Sequence, residues 1–292
     1  MVRRLLVTAA LCVVAVVGVY LAFVCTRRGQ DLDDLAYSGR DVVRPRATAA
    51  TDRLLSSITE QSLAVLGTGL VLVALLRRRW RLALGVFVAV GGAIVTSEVL
   101  KHTLPRPDYA GIQGIQHNSY PSGHATIAMS LALGLVMVSP RRLRPIAAVL
   151  AALFATAVGT GVLASGWHRP SDSLGAFGVT LGWFAVVSAV LVVWRGTGPE
   201  HAHLDEAPPA AVVVGAVALL AAVVLAIRRT IDRSDTLVAV HYRLGYVLAC
   251  IAIAAVGVGV VAAYVLLMEG TTLDPPDHDR GVPDATVEDL GP

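Results

Sequence analysis

Charge is what this sequence has least of. Asp, Glu, Lys and Arg make up 15% of its 292 residues, where soluble domains carry about 25%. A net charge of +3 leaves no strongly basic field, so nucleic acid is not an expected partner. Cysteine is confined to Cys12, Cys25 and Cys250, each inside or at the edge of an apolar run. They form neither a disulfide framework nor a metal-ligand spacing, and read as packing residues. Lysine is rarer still: Lys101 is the only one among 24 basic residues. The arginines cluster at the ends of apolar runs, which is a membrane pattern.

What the chain has instead is hydrophobic length. Hydrophobic residues make up 55% of it and the mean hydropathy is +0.67. A spanning helix needs about 20 mostly apolar residues, because each adds about 1.5 Å toward a hydrocarbon core of about 30 Å. Apolar runs occupy 5–25, 62–76, 82–100, 125–138, 145–164, 174–194, 210–227 and 244–268. The first is too long for a signal peptide and closes on Arg27-Arg28, so it reads as a retained anchor. The fold class is therefore all-α, a polytopic transmembrane helical bundle with six core helices and a two-helix C-terminal extension. The domain reading is 1–200 for the core, 201–268 for a C-terminal hairpin and 269–292 for an acidic, disordered tail. Between the first two runs, 26–59 mixes Asp31, Asp33, Asp34 and Asp41 with Arg40, Arg44 and Arg46. It reads as interfacial or solvated, with Pro45 stopping any long helix.

The arginines divide equally between the two faces. The tightest hairpins, Arg77-Arg78-Arg79 with Arg81 and Arg141-Arg142 with Arg144, are the most basic. Charge acts chiefly through short loops, so these are expected in the cytoplasm of a cell-membrane protein, with loops 101–123 and 165–173 on the extracytoplasmic face.

Those two loops hold the polar features that helix packing does not explain. The first runs from Lys101 through Arg106 to Pro121-Ser122-Gly123-His124, and the second is Gly166-Trp167-His168-Arg169-Pro170-Ser171-Asp172. Each delivers polar groups to a helix N-terminus, whose free N–H groups and dipole favour an anion. Gly123 lets the backbone approach an oxyanion, Ser122 adds a donor, and Lys101 with Arg106 suits a phosphate. Imidazoles titrate near neutrality. Asp172, four residues after His168, meets that ring on one face of a starting helix and fixes its tautomer.

Pro-Ser-Gly-His at a helix start, followed by His-x-x-x-Asp in the next loop on the same side, resembles the type 2 phosphatidic acid phosphatase superfamily. That superfamily includes lipid phosphate phosphatases, polyprenyl diphosphate phosphatases and relatives of vanadium haloperoxidases. The resemblance covers about 80 to 200 and implies a six-helix phosphatase core. It also implies a phosphohistidine mechanism with neither metal nor other cofactor. His168 would attack phosphorus, Asp172 would orient it and His124 would protonate the leaving oxygen. Lys101, Ser122 and the Gly123 N–H would hold the phosphate. The implied substrate is a lipid monophosphate or polyprenyl diphosphate, and the bilayer is the implied surroundings.

Two departures stand out. Keeping Lys101 in register puts Asp108-Tyr109 where the family has Arg-Pro, and Gly161-Val162 stand in place of Ser-Arg. Arg106 and Arg169 are expected to substitute as phosphate-binding residues from shifted positions. A phosphotransferase using the same intermediate, or a decayed site that only binds lipid, stays open. Several residues carry plainer readings. Lys101 can snorkel at a helix end, and Glu98 is its expected ion-pair partner. His102 and His117 read as loop residues, and His201 and His203 as solvated rather than metal-binding. Trp80, Trp167 and Trp194 fit interfacial belts, with Trp167 also able to wall the site.

Overall fold

The computed structural model describes residues 1–42, 60–107, 109, 118–195 and 237–269. Among these, all regular structure is helical. We number the helices α1 (Val2–Val19, continued by a π turn over Tyr20–Val24), α2 (Arg27–Gly39), α3 (Glu60–Leu76), α4 (Trp80–Thr103), α5 (Gly123–Val138), α6 (Arg144–Ala164), α7 (Pro170–Arg195) and α8 (Leu237–Met268). Among the described residues, five segments are long and apolar enough to cross a membrane: Val2–Val24, Trp80–Thr103, Arg141–Ala164, Pro170–Trp194 and Ala239–Met268. Val65–Leu76 and Gly123–Val138 are shorter apolar helices. These match the apolar runs read from the sequence, except 210–227, which lies outside the described residues together with His117, His201, His203 and the tail after 269.

The polar stretch after α1 divides in two. Residues 43–59 lie outside the description, but 27–39 form α2, and it is not simply solvated. Thr26 caps it, its Oγ1 accepting the Gly29 N–H at 3.0 Å. Gln30, Asp33, Ala36 and Gly39 recur every third residue and are all buried. One face of this charged helix therefore packs inward.

The centre of the bundle is α7, which touches α1, α4, α5 and α8. Lipid tails are as apolar as leucine, so helices in a bilayer associate through close packing and hydrogen bonds between helices. Both are present. A Cβ on Gly92 would lie 2.6 Å from the Trp183 ring, and one on Gly178 would lie 2.7 Å from Val16. Trp183 Nε1 donates to Thr96 Oγ1 at 2.9 Å, and Ser188 Oγ lies 3.0 Å from Tyr264 OH. The last helix is built into this bundle, packing on α6, α2 and α7.

Gly175 carries the tightest of these approaches. A Cβ there would lie 2.4 Å from the ring of Tyr120, which is fully buried. The ring cannot retreat, because Tyr120 OH donates to the Val16 carbonyl at 2.7 Å. Gly175→Leu is therefore expected to cost about 1–3 kcal/mol or more through overpacking, read as a lowered unfolding temperature in detergent. Gly18→Leu, where an added Cβ meets nothing within 4 Å, should leave that temperature unchanged.

Candidate active site

The second loop is shaped by the end of α6. Gly166 adopts φ +69°. Its N–H donates to the Leu163 carbonyl at 3.0 Å, and that of Trp167 donates to Val162 at 2.9 Å, which is the Schellman closure of a helix. Glycine serves twice here, since a Cβ would also strike the Arg40 side chain 2.5 Å away. Four residues after Gly166, α7 begins with Pro170, a residue suited to a first turn because its missing N–H would have been unpaired there. Asp172 reaches back to accept the Arg169 N–H at 3.0 Å and so closes the cap.

Asp172 is the hub. Its Oδ2 lies 3.1 Å from His168 Nδ1 and accepts the Ser119 hydroxyl at 2.7 Å. A carboxylate can only accept, so Nδ1 carries the imidazole proton and Nε2 keeps the lone pair. The His168 side chain is 13% exposed and that of Asp172 is 0%. Arg106 Nη1 donates to Ser119 Oγ at 3.4 Å and lies 4.0 Å from Asp172 Oδ1. Arg106 Nη2 and Asp172 Oδ1 are buried without a hydrogen-bond partner, a costly state that polar groups rarely keep without a use. Burial and the charge of Arg169 pull Arg106 below the ordinary arginine range, while Asp172, Asp33 and Asp34 oppose them. It remains a cation.

The first loop is joined to the second by backbone: the Ser122 N–H donates to the Asp172 carbonyl at 3.0 Å. Ser122 also caps α5, its hydroxyl accepting the Ala125 N–H at 3.3 Å. His124 follows in the first turn, with its ring centroid 5.2 Å from that of Trp167, the residue before His168. Lys101 reaches the same place from α4. A Cβ on Gly123 would stand 3.6 Å from Lys101 Nζ. Lys101 pairs with Glu98 Oε1 at 2.5 Å, as the spacing of three residues predicts. His102 is exposed in the last turn of α4 and bonds the Glu98 carbonyl at 2.8 Å. Among the described residues, no three His, Cys, Asp or Glu side chains are grouped to hold a metal.

The structure thus brings His168, Asp172, Arg106, Ser122, Gly123, Lys101 and His124 to one end of the bundle. Arg169, the other residue expected to bind phosphate, is engaged with α2. Its Nε donates to Asp34 Oδ1 at 2.7 Å, and its guanidinium lies 5.4 Å from the Tyr37 ring centroid. The sequence reading missed the partner helix. On α2, Asp33 Oδ1 accepts the Ser171 N–H at 3.2 Å, and its Oδ2 accepts the Ser171 hydroxyl at 2.5 Å. The signal that marks this face is the run of Gln30, Asp33 or Asp34, and Tyr37 at helical spacing.

A helical bundle with segments long and apolar enough to cross a membrane, bearing at one end a buried histidine–carboxylate pair beside an arginine, defines an integral membrane protein. The family model of the PAP2 superfamily matches residues 80–197, a segment containing both loops. No curated protein sequence matches the chain. Among solved structures, the crystal structure of the first transmembrane PAP2-type phosphatidylglycerolphosphate phosphatase from Bacillus subtilis is similar at 20% identity. The match covers 64% of this chain and 99% of that one, with a TM-score of 0.45.

Burial pushes the Asp33 carboxyl up to about 7; the nearby charge of Asp172 adds to the rise, and the Ser171 bonds and Arg106 oppose it. Its folded value lies above its unfolded one, so the folded state binds the proton more tightly. The stabilisation is complete below about pH 4 and is lost as pH rises through about 7. Unfolding temperatures of wild type and Asp33→Asn, measured from pH 4 to 8, should therefore show the wild type losing relative stability as pH rises. A constant difference would contradict this.

Proposed function

We propose that the protein is a membrane lipid-phosphate phosphatase working through a phosphohistidine on His168. The observation that carries this reading is the His168–Asp172 pair beside a buried arginine with an unpartnered nitrogen. It couples a nucleophile of fixed tautomer to a cation suited to phosphate oxygens. The match of residues 80–197 to the PAP2 superfamily model supports the same chemistry.

In this mechanism His168 Nε2 attacks phosphorus, the P–O bond to the lipid alcohol breaks, and His124 gives its proton to the departing oxygen. Asp172 stabilises the resulting charge on His168. Water, losing a proton to His124, then attacks phosphorus, the P–N bond breaks, and phosphate leaves. Lys101, Arg106 and the Gly123 N–H bear on the non-bridging oxygens, where positioning and charge do most of the catalytic work. The basic hairpins at the opposite end of the bundle support a site opening on the extracytoplasmic face.

A groove of about 400 Å³, lined by Gly67, Val71, Gly91, Ile94, Ile127 and Leu131 among others, supports a lipid substrate. Ile94 lies one turn before Glu98 and two before Lys101. Ile127 lies one turn after Gly123. The groove thus follows the helix faces that carry the phosphate-binding groups toward the hydrocarbon.

The test is phosphate release from lipid phosphates in detergent with chelator present. Wild type should turn over, and His168→Ala should lose about 10⁴-fold or more in kcat. Arg106→Ala should lower kcat/KM about 10- to 100-fold, the worth of a charge-assisted contact. Equal rates for wild type and His168→Ala would end the reading. A Cβ on Gly91 meets nothing within 4 Å, so Gly91→Leu should fold and weaken long-chain substrates about tenfold relative to a water-soluble phosphate ester.

A further inference from the structure

Helix α2 lies outside the segment that matches the family, yet its inward face touches both loops of the site. Gln30 Nε2 donates to the Pro107 carbonyl at 2.6 Å, one residue beyond Arg106. Asp33 holds the N–H and hydroxyl of Ser171, next to Asp172. Asp34 holds Arg169, next to His168. Tyr37 OH donates to the Gly166 carbonyl at 2.7 Å, two residues before His168. Each contact falls within two residues of an active-site group, and none reaches the reacting atoms. From the other side α2 is seated on α8. A Cβ on Gly39 would overlap the Tyr242 carbonyl, and one on Gly245 would lie 2.9 Å from Leu35.

We propose that α2 is a positioning helix of the phosphorylation step, in which Asp34, acting through Arg169, and Asp33, acting through Ser171, hold His168 and Asp172 in attacking register while α8 holds α2 in place. The inference rests on the phosphatase reading above. Its physical basis is that the short loop between α6 and α7 leaves α6 through a left-handed glycine, and its backbone bonds up to His168, such as His168 N–H to the Val162 carbonyl at 3.2 Å, run only to the helix it leaves. The ion pair of Arg169 with Asp34 ties the last residue of the loop, next to His168, to a separate helix. An error of about 1 Å in the position of a nucleophile costs about 10²-fold in rate. Substrate affinity depends mainly on Lys101, Arg106 and the start of α5, which α2 leaves in place when Asp34 alone is changed. The Asp34 side chain is 32% exposed, so its removal does not open a cavity in the core.

The experiment compares Asp34→Ala, Arg169→Ala, their double variant, Asp33→Asn and, as control, Asp31→Ala on the exposed face of α2. Asp34→Ala and Arg169→Ala should each lower kcat about tenfold or more with KM nearly unchanged. The double variant should be no worse than either single one, because both remove one interaction. Asp33→Asn, which keeps an acceptor for Ser171, should fall less than Asp34→Ala. Asp31→Ala should match wild type.

Unchanged kcat in Asp34→Ala, a loss carried wholly by KM, or additive losses in the double variant would overturn the proposal while leaving the phosphatase reading intact. If wild type releases no phosphate from any lipid, that reading fails instead. Amide hydrogen exchange over 165–172 then decides the inference. Faster exchange in Asp34→Ala than in Asp31→Ala upholds α2 as the element that orders the loop, and equal exchange overturns it.

Discussion

A carboxylate removed from water must be surrounded by donors, because an uncompensated buried charge costs several kcal/mol. Asp172, fully buried at the start of α7, imposes that demand on everything around it. No single element can meet it. The second loop supplies His168 and the Arg169 N–H, and the first supplies Ser119 with Arg106 behind it. The bond from Ser122 N–H to the Asp172 carbonyl then draws the start of α5 to the same point. The site is thus a consequence of solvating one anion with protein. The imidazole acquires its tautomer in the process, so orientation and chemistry have one cause.

The bundle beneath the site obeys a different rule. Its interior contacts are steric, glycine against ring at Gly175 and Gly92, because lipid provides no hydrophobic drive for helices to associate. The buried hydroxyls of Thr126 and Thr180 return their bonds to nearby carbonyls, Thr126 to Ser122 at 2.8 Å and Thr180 to Ala176 at 2.9 Å. The buried carboxylates of Asp33 and Asp172 stand at the end of the bundle where α4 ends and α5 and α7 begin. Tyr120 links the two regimes. Its ring fills the space above Gly175 while its backbone N–H is held by Asn118 Oδ1 at 3.1 Å, two residues from the Ser122 cap. Packing in the hydrocarbon therefore sets the height of the loop that carries Ser119.

The spanning helices were legible because length and hydropathy leave a long apolar run few alternatives to a transmembrane helix. The two loops were legible because Pro-Ser-Gly-His and His-x-x-x-Asp place chemistry at a helix start, where local geometry dictates what each residue meets. Glu98 with Lys101 was legible for the same local reason. What the sequence hid is long-range. Asp34 and Arg169 stand 135 residues apart, Asp33 and Ser171 138, and no spacing encodes such a meeting. The acidic residues of α2 also masked its amphipathic face, since a buried aspartate looks like a solvated one until its partner is known. Ser122 shows the converse. From sequence it reads as a phosphate donor, and the structure makes it a helix cap; capping uses the hydroxyl as an acceptor and leaves its proton available to donate.

The same contrast explains why the two displaced arginines are not equivalent. Arg106 stands between Pro105 and Pro107, whose carbonyls are held from α1 and α2. Tyr20 OH donates to the Pro105 carbonyl at 2.5 Å, and Gln30 Nε2 donates to that of Pro107. Proline fixes φ on both sides, so the backbone bearing the guanidinium has little freedom. The side chain is 4% exposed, and one of its nitrogens has no partner. Arg169 has a carboxylate within 2.7 Å and an aromatic face beneath it, so bringing it to an anion would first break an ion pair. A cation held in place with bonding capacity left over suits an anion whose charge grows during reaction. A cation already neutralised suits a joint. Charge alone made the two look alike, and their neighbours give them different work.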